Sequence, residues 1–316
     1  MRKRDWVLKN LGMIPKCQFE LPSSGKEKTF SLDIPASDEA WPSRLTLFLN
    51  DELLAISDSE FQRRGIYLSW STLGSLIFVF CFFLFCSMPF FFPLAPYWII
   101  PFIGLVTLPS AAGFIWLAKQ EIKGYAIYPV IFNRRTGNVH FFSIHNGQPV
   151  SYSWRQCIYC IVPKRSGGPE GRDYELRGYV LNDRHGGVMD SFSIGEESVN
   201  LGNVTEGFMN RWLSCQFEYV RAFMASENVD DLTVPRKKDF ISLKPNFKQS
   251  MHIVNPKEDM ESTLIGALSF FIYVLLFIPK LVEASGHYLC CKYCKVPQWS
   301  DEIIEECGPE IVLSNR

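Results

Sequence analysis

The sequence predicts a membrane protein of the α+β class, in which a transmembrane helical hairpin is joined to a cytoplasmic, antiparallel, sheet-rich domain closed by a C-terminal helix. A third membrane-associated helix is predicted after that domain. Two observations favour this fold class. Residues 65–118 contain no Asp, Glu, Lys or Arg, although 21% of the 316 residues are charged. Residues 124–226 instead alternate short apolar runs with turn sequences, which is typical of antiparallel strands.

Composition excludes several classes of protein. The net charge of -1 gives no global field that would recruit nucleic acid, so we expect no nucleic-acid partner. The ten cysteines are scattered, and a long chain with scattered cysteines is not a disulfide scaffold. We expect most of them to be reduced and buried. The basic N-terminal residues are not followed by an apolar segment, so no cleavable signal sequence is predicted.

The N-terminal segment, residues 1–64, is polar, and its prolines interrupt helical periodicity. The exception is Leu45–Ile56, in which apolar residues alternate with others on both sides of the turn sequence Asn50-Asp51. This pattern predicts a short β-hairpin within an otherwise extended or loop-like segment.

Residues 65–118 form the predicted transmembrane hairpin. Its helices span residues 66–88 and 97–118, and each has about the 20 residues needed to cross a bilayer. Prolines dominate the connection between them, and Pro101 and Pro109 predict kinks in the second helix. Neither helix has a polar face, which argues against the alternative of a buried hairpin in a soluble protein.

Positive charges predict the orientation of the hairpin. Arg63 and Arg64 precede the first helix, Lys119 and Lys123 follow the second, and the connection between the helices has no basic residue. By the positive-inside rule, the N-terminus and the central domain are cytoplasmic. Membrane lipid is therefore an expected partner.

Residues 119–226 form the predicted cytoplasmic domain, with six strands followed by one amphipathic helix. Trp212 is expected to pack this helix against the sheet. The order of elements resembles a pleckstrin-homology-like module. The predicted strands are Ala126–Asn133, Asn138–Ile144, Pro149–Trp154, Cys157–Val162, Tyr174–Leu181 and Val188–Ile194, and the apolar helix face comprises Val204, Phe208, Trp212, Cys215, Tyr219, Val220 and Phe223.

Three segments complete the chain. Residues 227–261 are a polar linker. Its basic cluster Arg236-Lys237-Lys238 could contact anionic lipid headgroups, but it is interpreted as solvated, because Asp230, Asp231 and Asp239 surround it. Residues 262–284 are the third membrane-associated helix, whose charge-free part, Ser262–Pro279, is at the lower limit for a span. The alternatives are an interfacial helix or one buried in protein. Whether this helix spans the bilayer decides which side of the membrane the C-terminal cysteines face. Residues 285–316 are a cysteine-containing tail with a helical turn over Ser300–Cys307.

No catalytic, cofactor-binding or metal site is predicted. Cys157 and Cys160 lie three apart in a strand and therefore face opposite sides. Cys291 and Cys294 are expected in a loop, where this spacing suits a metal better, but ordinary thiols or a tail disulfide are favoured. The histidines show no metal-ligand or triad spacing; they are His140, His145, His185, His252 and His287.

Several segments together resemble a bacterial membrane-protein family catalogued as domain of unknown function 6708. They are Asn50–Asp58, Pro129–Arg134 with Val139–Phe142, the Trp154 strand, the helix with Trp212 and Tyr219–Arg221, and Pro297–Ser300 with Glu302-Ile303. The resemblance runs from about Leu45 to Cys307. The tail departs from the usual Trp-Pro pair, because Ser300 follows Trp299.

The resemblance implies a bacterial inner-membrane protein, encoded near type VI secretion and polymorphic-toxin genes. We expect a non-catalytic immunity or accessory protein that acts by binding a cognate toxin or a secretion component. The alternative is a membrane-anchored adaptor or sensor whose sheet-rich domain docks a protein or a lipid headgroup. An enzyme is not predicted, because no residues assemble a nucleophile or a metal.

Overall fold

The computed structural model describes residues 28–91, 99–165, 172–182, 187–198, 206–226, 232, 235, 240–242, 244, 246–254 and 266–312. Contacts divide the chain into two compact units. We call residues 1–61, 127–242 and 297–314 the sheet unit. Residues 62–126, 243–296 and 315–316 form the helical unit.

Two antiparallel sheets form the sheet unit, which confirms the α+β class. The strands are β1 (Lys28–Phe30), β2 (Thr46–Leu49), β3 (Leu53–Ile56), β4 (Val130–Asn133), β5 (Asn138–Phe142), β6 (Pro149–Ser153), β7 (Cys157–Arg165), β8 (Arg172–Leu181) and β9 (Val188–Ser198). One sheet has the order β2-β3-β4-β5-β6, and the other has the order β1-β7-β8-β9. All six strands predicted between residues 126 and 194 are observed, although β4 begins only at Val130.

The apolar hairpin lies between two neighbouring strands of one sheet. β3 pairs with β4 in antiparallel register, with Ile56 opposite Val130 and Leu53 opposite Asn133. The whole stretch from residue 57 to residue 129 therefore connects two hydrogen-bonded strands. As a result, the short hairpin predicted in the N-terminal segment belongs to the same sheet as β4, β5 and β6.

Aromatic side chains fill the core between the sheets and the helix α3, which spans Glu206–Ala225. Phe217 on α3 stacks on Phe30, with ring centroids 4.4 Å apart. Trp154 meets Tyr159 at 4.3 Å. The helix predicted after the last strand is therefore observed, and its buried face anchors it to both sheets.

The predicted apolar face of α3 is buried at Cys215, Tyr219, Val220 and Phe223, whereas Trp212 lies at its margin. The side chain of Trp212 packs on the edge of the core and is only partly buried, and its ring lies 5.3 Å from that of Trp41. Leu213 and Phe217, which were not part of the predicted face, are also fully buried, so α3 is buried over a wider arc than the sequence pattern predicted. The side chains of Val204 and Phe208 lie outside the described residues.

The helical unit contains α1 (Ile66–Phe91), α2 (Ile99–Ile122), α4 (Phe247–Val254) and α5 (Gly266–Tyr293). Within the described residues, two helices are long and apolar enough to cross a membrane. One contains α1 and the other is α2. The helix α4 lies in the predicted linker and was not expected. The third predicted helix is observed as α5, which continues to Tyr293 and contains Pro279. The cluster Arg236-Lys237-Lys238 lies outside the described residues.

Candidate functional site

The outward faces of α1 and α2 are apolar and exposed. The exposed fraction of the side chain is 66% for Phe80 and 73% for Leu105. The helices pack antiparallel, since a Cβ at Gly74 would meet Phe114 and one at Gly104 would meet Phe82, each at 3.3 Å. Exposed apolar side chains of this size fit a lipid environment better than water.

Exposed aromatic residues lie at one end of this pair of helices. Tyr67 and Trp70 are at the start of α1, and Trp116 is near the end of α2. Because the helices are antiparallel, these three rings lie towards the same end. Tyr and Trp are enriched at the boundary between lipid and water, so this end fits a membrane interface.

A carboxylate from α2 caps the start of α1 at this end. Glu121 accepts hydrogen bonds from the backbone N–H of Gly65, at 2.7 Å, and from that of Leu68. The first N–H groups of a helix have no partner within the helix, and a negative charge is favourable there. Glu121 thus joins the end of α2 to the start of α1.

The backbone of α5 approaches the same point. Gly65 has φ +88°, and a Cβ on it would lie 2.1 Å from the carbonyl carbon of Gly286. A Cβ on Gly286 would lie 1.8 Å from Oγ of Ser69. Only glycine fits at either position. We call Gly65, Ser69, Glu121 and Gly286 the helical junction, because α1, α2 and α5 meet there.

The C-terminal tail docks on the sheet unit. The helix α6 spans Asp301–Cys307, as predicted, and its apolar side packs on the face of the five-stranded sheet that points away from the main core. The ring of Trp299 lies 4.4 Å from that of Phe142. We call this face the tail-docking surface; it pairs Leu53, Ala55, Ile131 and Phe142 with Trp299, Ile303, Cys307 and Ile311.

Glu306 provides the polar contacts of the docked tail. Its carboxylate accepts hydrogen bonds from Oγ1 of Thr136 at 2.5 Å and from Nδ2 of Asn138 at 3.0 Å. Burial raises the pKa of Glu306, but these hydrogen bonds, together with the charges of His140 and Arg135, outweigh burial and hold the pKa below its usual value. His140 Nε2 lies 3.5 Å from the same carboxylate. Burial lowers the pKa of His140 and outweighs the attraction of Glu306.

A buried ion pair lies on β8. Glu175 and Arg177 are two residues apart on the strand, so their side chains share a face, and Nη2 of Arg177 lies 2.6 Å from Oε1 of Glu175. Ser59 donates to the second oxygen of Glu175 at 2.7 Å, and Arg177 donates to Ser191 at 3.0 Å. The pair therefore fixes the segment that leads into α1 against the four-stranded sheet. Opposite charges two residues apart in a strand, Glu175 and Arg177, were the sequence signal for this pair.

The cysteine pairs do not form metal sites among the described residues. Cys157 faces the main core and Cys160 faces the other side of its sheet, as the strand spacing predicted. Burial raises the pKa of Cys157 to about 12. Cys290 and Cys291 lie in the last turn of α5 rather than in the predicted loop. Within the described residues, no group of three or more His, Cys, Asp or Glu could hold a metal ion.

The described histidines occupy separate places. His140 is in β5, His145 is in the turn that follows, His252 is in α4 and His287 is in α5. Nδ1 of His287 lies 2.9 Å from Oγ of Ser250 and 3.7 Å from Sγ of Cys291. Burial raises the pKa of Cys291 to about 12, so its thiol stays protonated at neutral pH. His185 lies outside the described residues.

Comparison with known proteins gives one match. A family model described as "Family of unknown function (DUF6708)" matches residues 110–310, which is more than half of the 316-residue chain. The match starts within α2 and continues through the sheet unit, α5 and the docked tail. It confirms the family resemblance. No curated protein and no solved structure matches the chain.

Proposed function

This chain belongs to the family of unknown function DUF6708, and we propose that it is a non-catalytic, membrane-anchored binding protein. Its proposed role is immunity or an accessory function in a type VI secretion or interbacterial toxin system. The observation that carries the proposal is the insertion of the apolar hairpin between the paired strands β3 and β4. A domain built this way is tethered to a bilayer through two adjacent strand ends.

The contacts of the reactive side chains support binding rather than chemistry. Glu175 and Arg177 are engaged with each other. The thiols of Cys157 and Cys291 have raised pKa values, and a protonated thiol is a poor nucleophile. His140 is fully buried, and its Nε2 lies 3.5 Å from the carboxylate of Glu306 in the tail. Each of these groups has a structural role that accounts for its environment.

The proposed location is the bacterial inner membrane, with more than one crossing. The sheet unit would lie in the cytoplasm, because Arg63, Arg64, Lys119 and Lys123 flank the hairpin at the end where the chain joins that unit. A binding protein in this position can meet a toxin at the membrane that the toxin attacks.

Co-expression with the toxin encoded beside the gene tests this proposal. The full chain should protect cells, and the variants Cys291→Ala and His252→Ala should protect equally well, because neither residue has a chemical role in binding. A variant in which a short flexible turn replaces residues 62–126 should fold but fail to protect. Protection by that variant, or its loss in well-folded Cys291→Ala, would contradict the proposal.

A second candidate is a membrane-anchored adaptor or sensor with a pleckstrin-homology-like domain. The order of elements favours it, since β2 to β6 are consecutive in one antiparallel sheet, β7 to β9 are consecutive in the other, and α3 follows them. Such a domain would dock a protein or a lipid headgroup. The absence of any toxin gene next to this gene, together with binding of the sheet unit to liposomes, would favour this candidate.

A further inference from the structure

We propose that α5 does not cross the membrane. In this proposal α5 begins and ends on the side of the bilayer that carries the sheet unit, and it contacts lipid there through an exposed apolar stripe. The C-terminal tail then stays on the same side as the sheets. This inference rests on the proposed anchoring of the chain by α1 and α2.

The helical junction fixes the side of the carboxyl end of α5. The backbones of Gly65 and Gly286 are too close for a side chain on either, and Oγ of Ser69 lies 2.7 Å from the carbonyl oxygen of Val282. Gly65 directly precedes α1, and Glu121 at the end of α2 binds it. The last turns of α5 therefore lie at the end of the hairpin where the chain enters α1 and leaves α2.

The chain between α2 and α5 fixes the side of the amino end. For α5 to span and still end at the junction, an additional crossing would be needed between residues 123 and 265. The helix α3 is committed to the core of the sheet unit. The helix α4 has eight residues and is about 12 Å long, against about 30 Å of hydrocarbon. Directly ahead of α5, residues 257–261 carry four charges in the sequence Lys-Glu-Asp-Met-Glu, which disfavours their passage through lipid.

The docked tail fixes the side of the carboxyl end of α5 independently of the helical junction. Trp299 packs on Phe142, and Glu306 binds the turn between β4 and β5. These contacts lie within the sheet unit, so residues 299–311 are on its side of the membrane. Because the amino end of α5 is on this side as well, a single crossing by α5 would carry the tail to the opposite side, where it could not reach this surface.

The exposed stripe of α5 indicates what the helix contacts. Ile278 and Tyr293 have exposed fractions of 63% and 58%, and Leu281 and Leu289 are also exposed. These positions share one helical face, while Ala284, His287 and Cys290 on the opposite face are buried. The helix α1 contacts the flank of this part of α5, where Trp70 donates to Glu283 at 3.3 Å. A helix segment with one apolar exposed face fits the boundary between headgroups and acyl chains.

Labelling with a membrane-impermeant maleimide tests the sidedness. Single cysteines are introduced into the full chain by Asp51→Cys in the sheet unit, Ala95→Cys between α1 and α2, Lys257→Cys ahead of α5, and Glu302→Cys on α6. The unmodified chain reports background from the native cysteines. In intact cells, positions 51, 257 and 302 should stay unlabelled and position 95 should react. After permeabilisation, all four should react.

Each other pattern has a defined meaning. Labelling of 302 but not 257 in intact cells would show that α5 spans, and labelling of 257 but not 302 would reveal an additional crossing; either overturns the inference. If 95 and 51 label alike, the anchoring by α1 and α2 fails instead.

Fluorescence quenching in liposomes tests the lipid contact. A fluorophore on Leu281→Cys or Leu289→Cys should be quenched by nitroxide-labelled lipids, as should one on Phe80→Cys in the hairpin, whereas one on Asp51→Cys should be quenched by aqueous iodide. If iodide quenches the fluorophores at positions 281 and 289, the stripe faces water and the lipid contact is overturned. If neither agent quenches them, the lipid contact is also overturned, because protein, such as a second copy of the chain, then covers the stripe.

Discussion

The carboxylate of Asp58 accepts a hydrogen bond from the backbone N–H of Tyr128 at 3.0 Å. Asp58 lies just before the hairpin and Tyr128 just after it, so one side chain joins the two chain segments that lead into and out of the apolar helices. Ser59, the next residue, donates to the buried carboxylate of Glu175. The sheet unit thus holds both ends of the insertion by its own contacts.

Removing the Asp58 carboxylate should destabilise the sheet unit. Asp58→Ala leaves a partly buried N–H without this acceptor, which costs about 1–3 kcal/mol. Asp58→Asn keeps an acceptor oxygen and should lose less. Denaturant unfolding of the purified protein, followed by tryptophan fluorescence, measures both. Equal losses in the two variants would show that the hydrogen bond to Tyr128 does not matter.

A methyl group at the helical junction should be poorly tolerated. The nearest atom to a Cβ on Gly286 is Oγ of Ser69, and the carbonyl oxygen of Gly65 follows at 2.2 Å. Because backbone atoms cannot move aside, Gly286→Ala should cost at least the 1–3 kcal/mol that is typical of overpacking. Gly113→Ala is the matched control, since nothing lies within 4 Å of its Cβ position. Thermal stability in detergent should fall only for Gly286→Ala, and an equal effect of both variants would contradict the close contact.

Docking of the tail should weaken in acid. The pKa of His140 is lowered by burial, so the docked state binds fewer protons than the released state once the pH falls below the usual value of about 6.5. Docking is therefore strongest above that value and weakens as the pH falls towards the lowered pKa. The lowered pKa of Glu306 adds a second loss, which begins below its usual value of about 4.5.

Hydrogen exchange of residues 299–311, corrected for intrinsic rates, measures this effect. Protection should fall between about pH 7.5 and pH 5.5 in the natural chain. His140→Gln carries no titratable group and should have a flatter profile in this range. An unchanged pH profile in the variant would assign the acid sensitivity to other groups.

Phe217, rather than Trp212, should dominate the contribution of α3 to stability. Phe217 is fully buried and its ring is 5.3 Å from that of Tyr159, so Phe217→Ala should cost about 3–5 kcal/mol. Trp212 is only partly buried, and Trp212→Ala should cost less. Denaturant midpoints of the two variants provide the comparison. A larger loss for Trp212→Ala would restore the expectation from the sequence.

Local patterns in the sequence predicted much of the fold. Turn sequences such as Arg134–Gly137 separated the strands correctly, and the charge-free run identified the long helices. Pairing between Ile56 and Val130 could not be predicted, because no local pattern encodes a contact across the intervening hairpin. The buried face of α3 was predicted at Cys215, Tyr219, Val220 and Phe223, but it is wider than the pattern indicated. Leu213 and Phe217 are covered as well, because residues of both sheets share one core cluster with α3.

The candidate site was less predictable than the fold. The spacing of Trp299, Ile303, Cys307 and Ile311 is four residues, which already indicates one apolar helical face, but its partner surface on the sheet is a long-range contact. The close approach of Gly286 to Gly65 leaves no periodic signal, since a single glycine also fits a loop. Continuation of α5 into the cysteine-rich region was missed because the prediction followed the charge-free run, which ends before Lys280.

Flotation of membranes after an alkaline wash tests the central claim most directly. The claim is that the hairpin alone inserts into the bilayer and that it interrupts a sheet unit which folds without it. The full chain should float with the membranes. The variant with a short flexible turn in place of residues 62–126 should be released into the soluble fraction by the alkaline wash, because α5 contacts only the bilayer surface, and its sheets should stay folded, since Ile56 and Val130 are already neighbours. Release of the full chain by the alkaline wash, or flotation of the folded variant, would contradict the account.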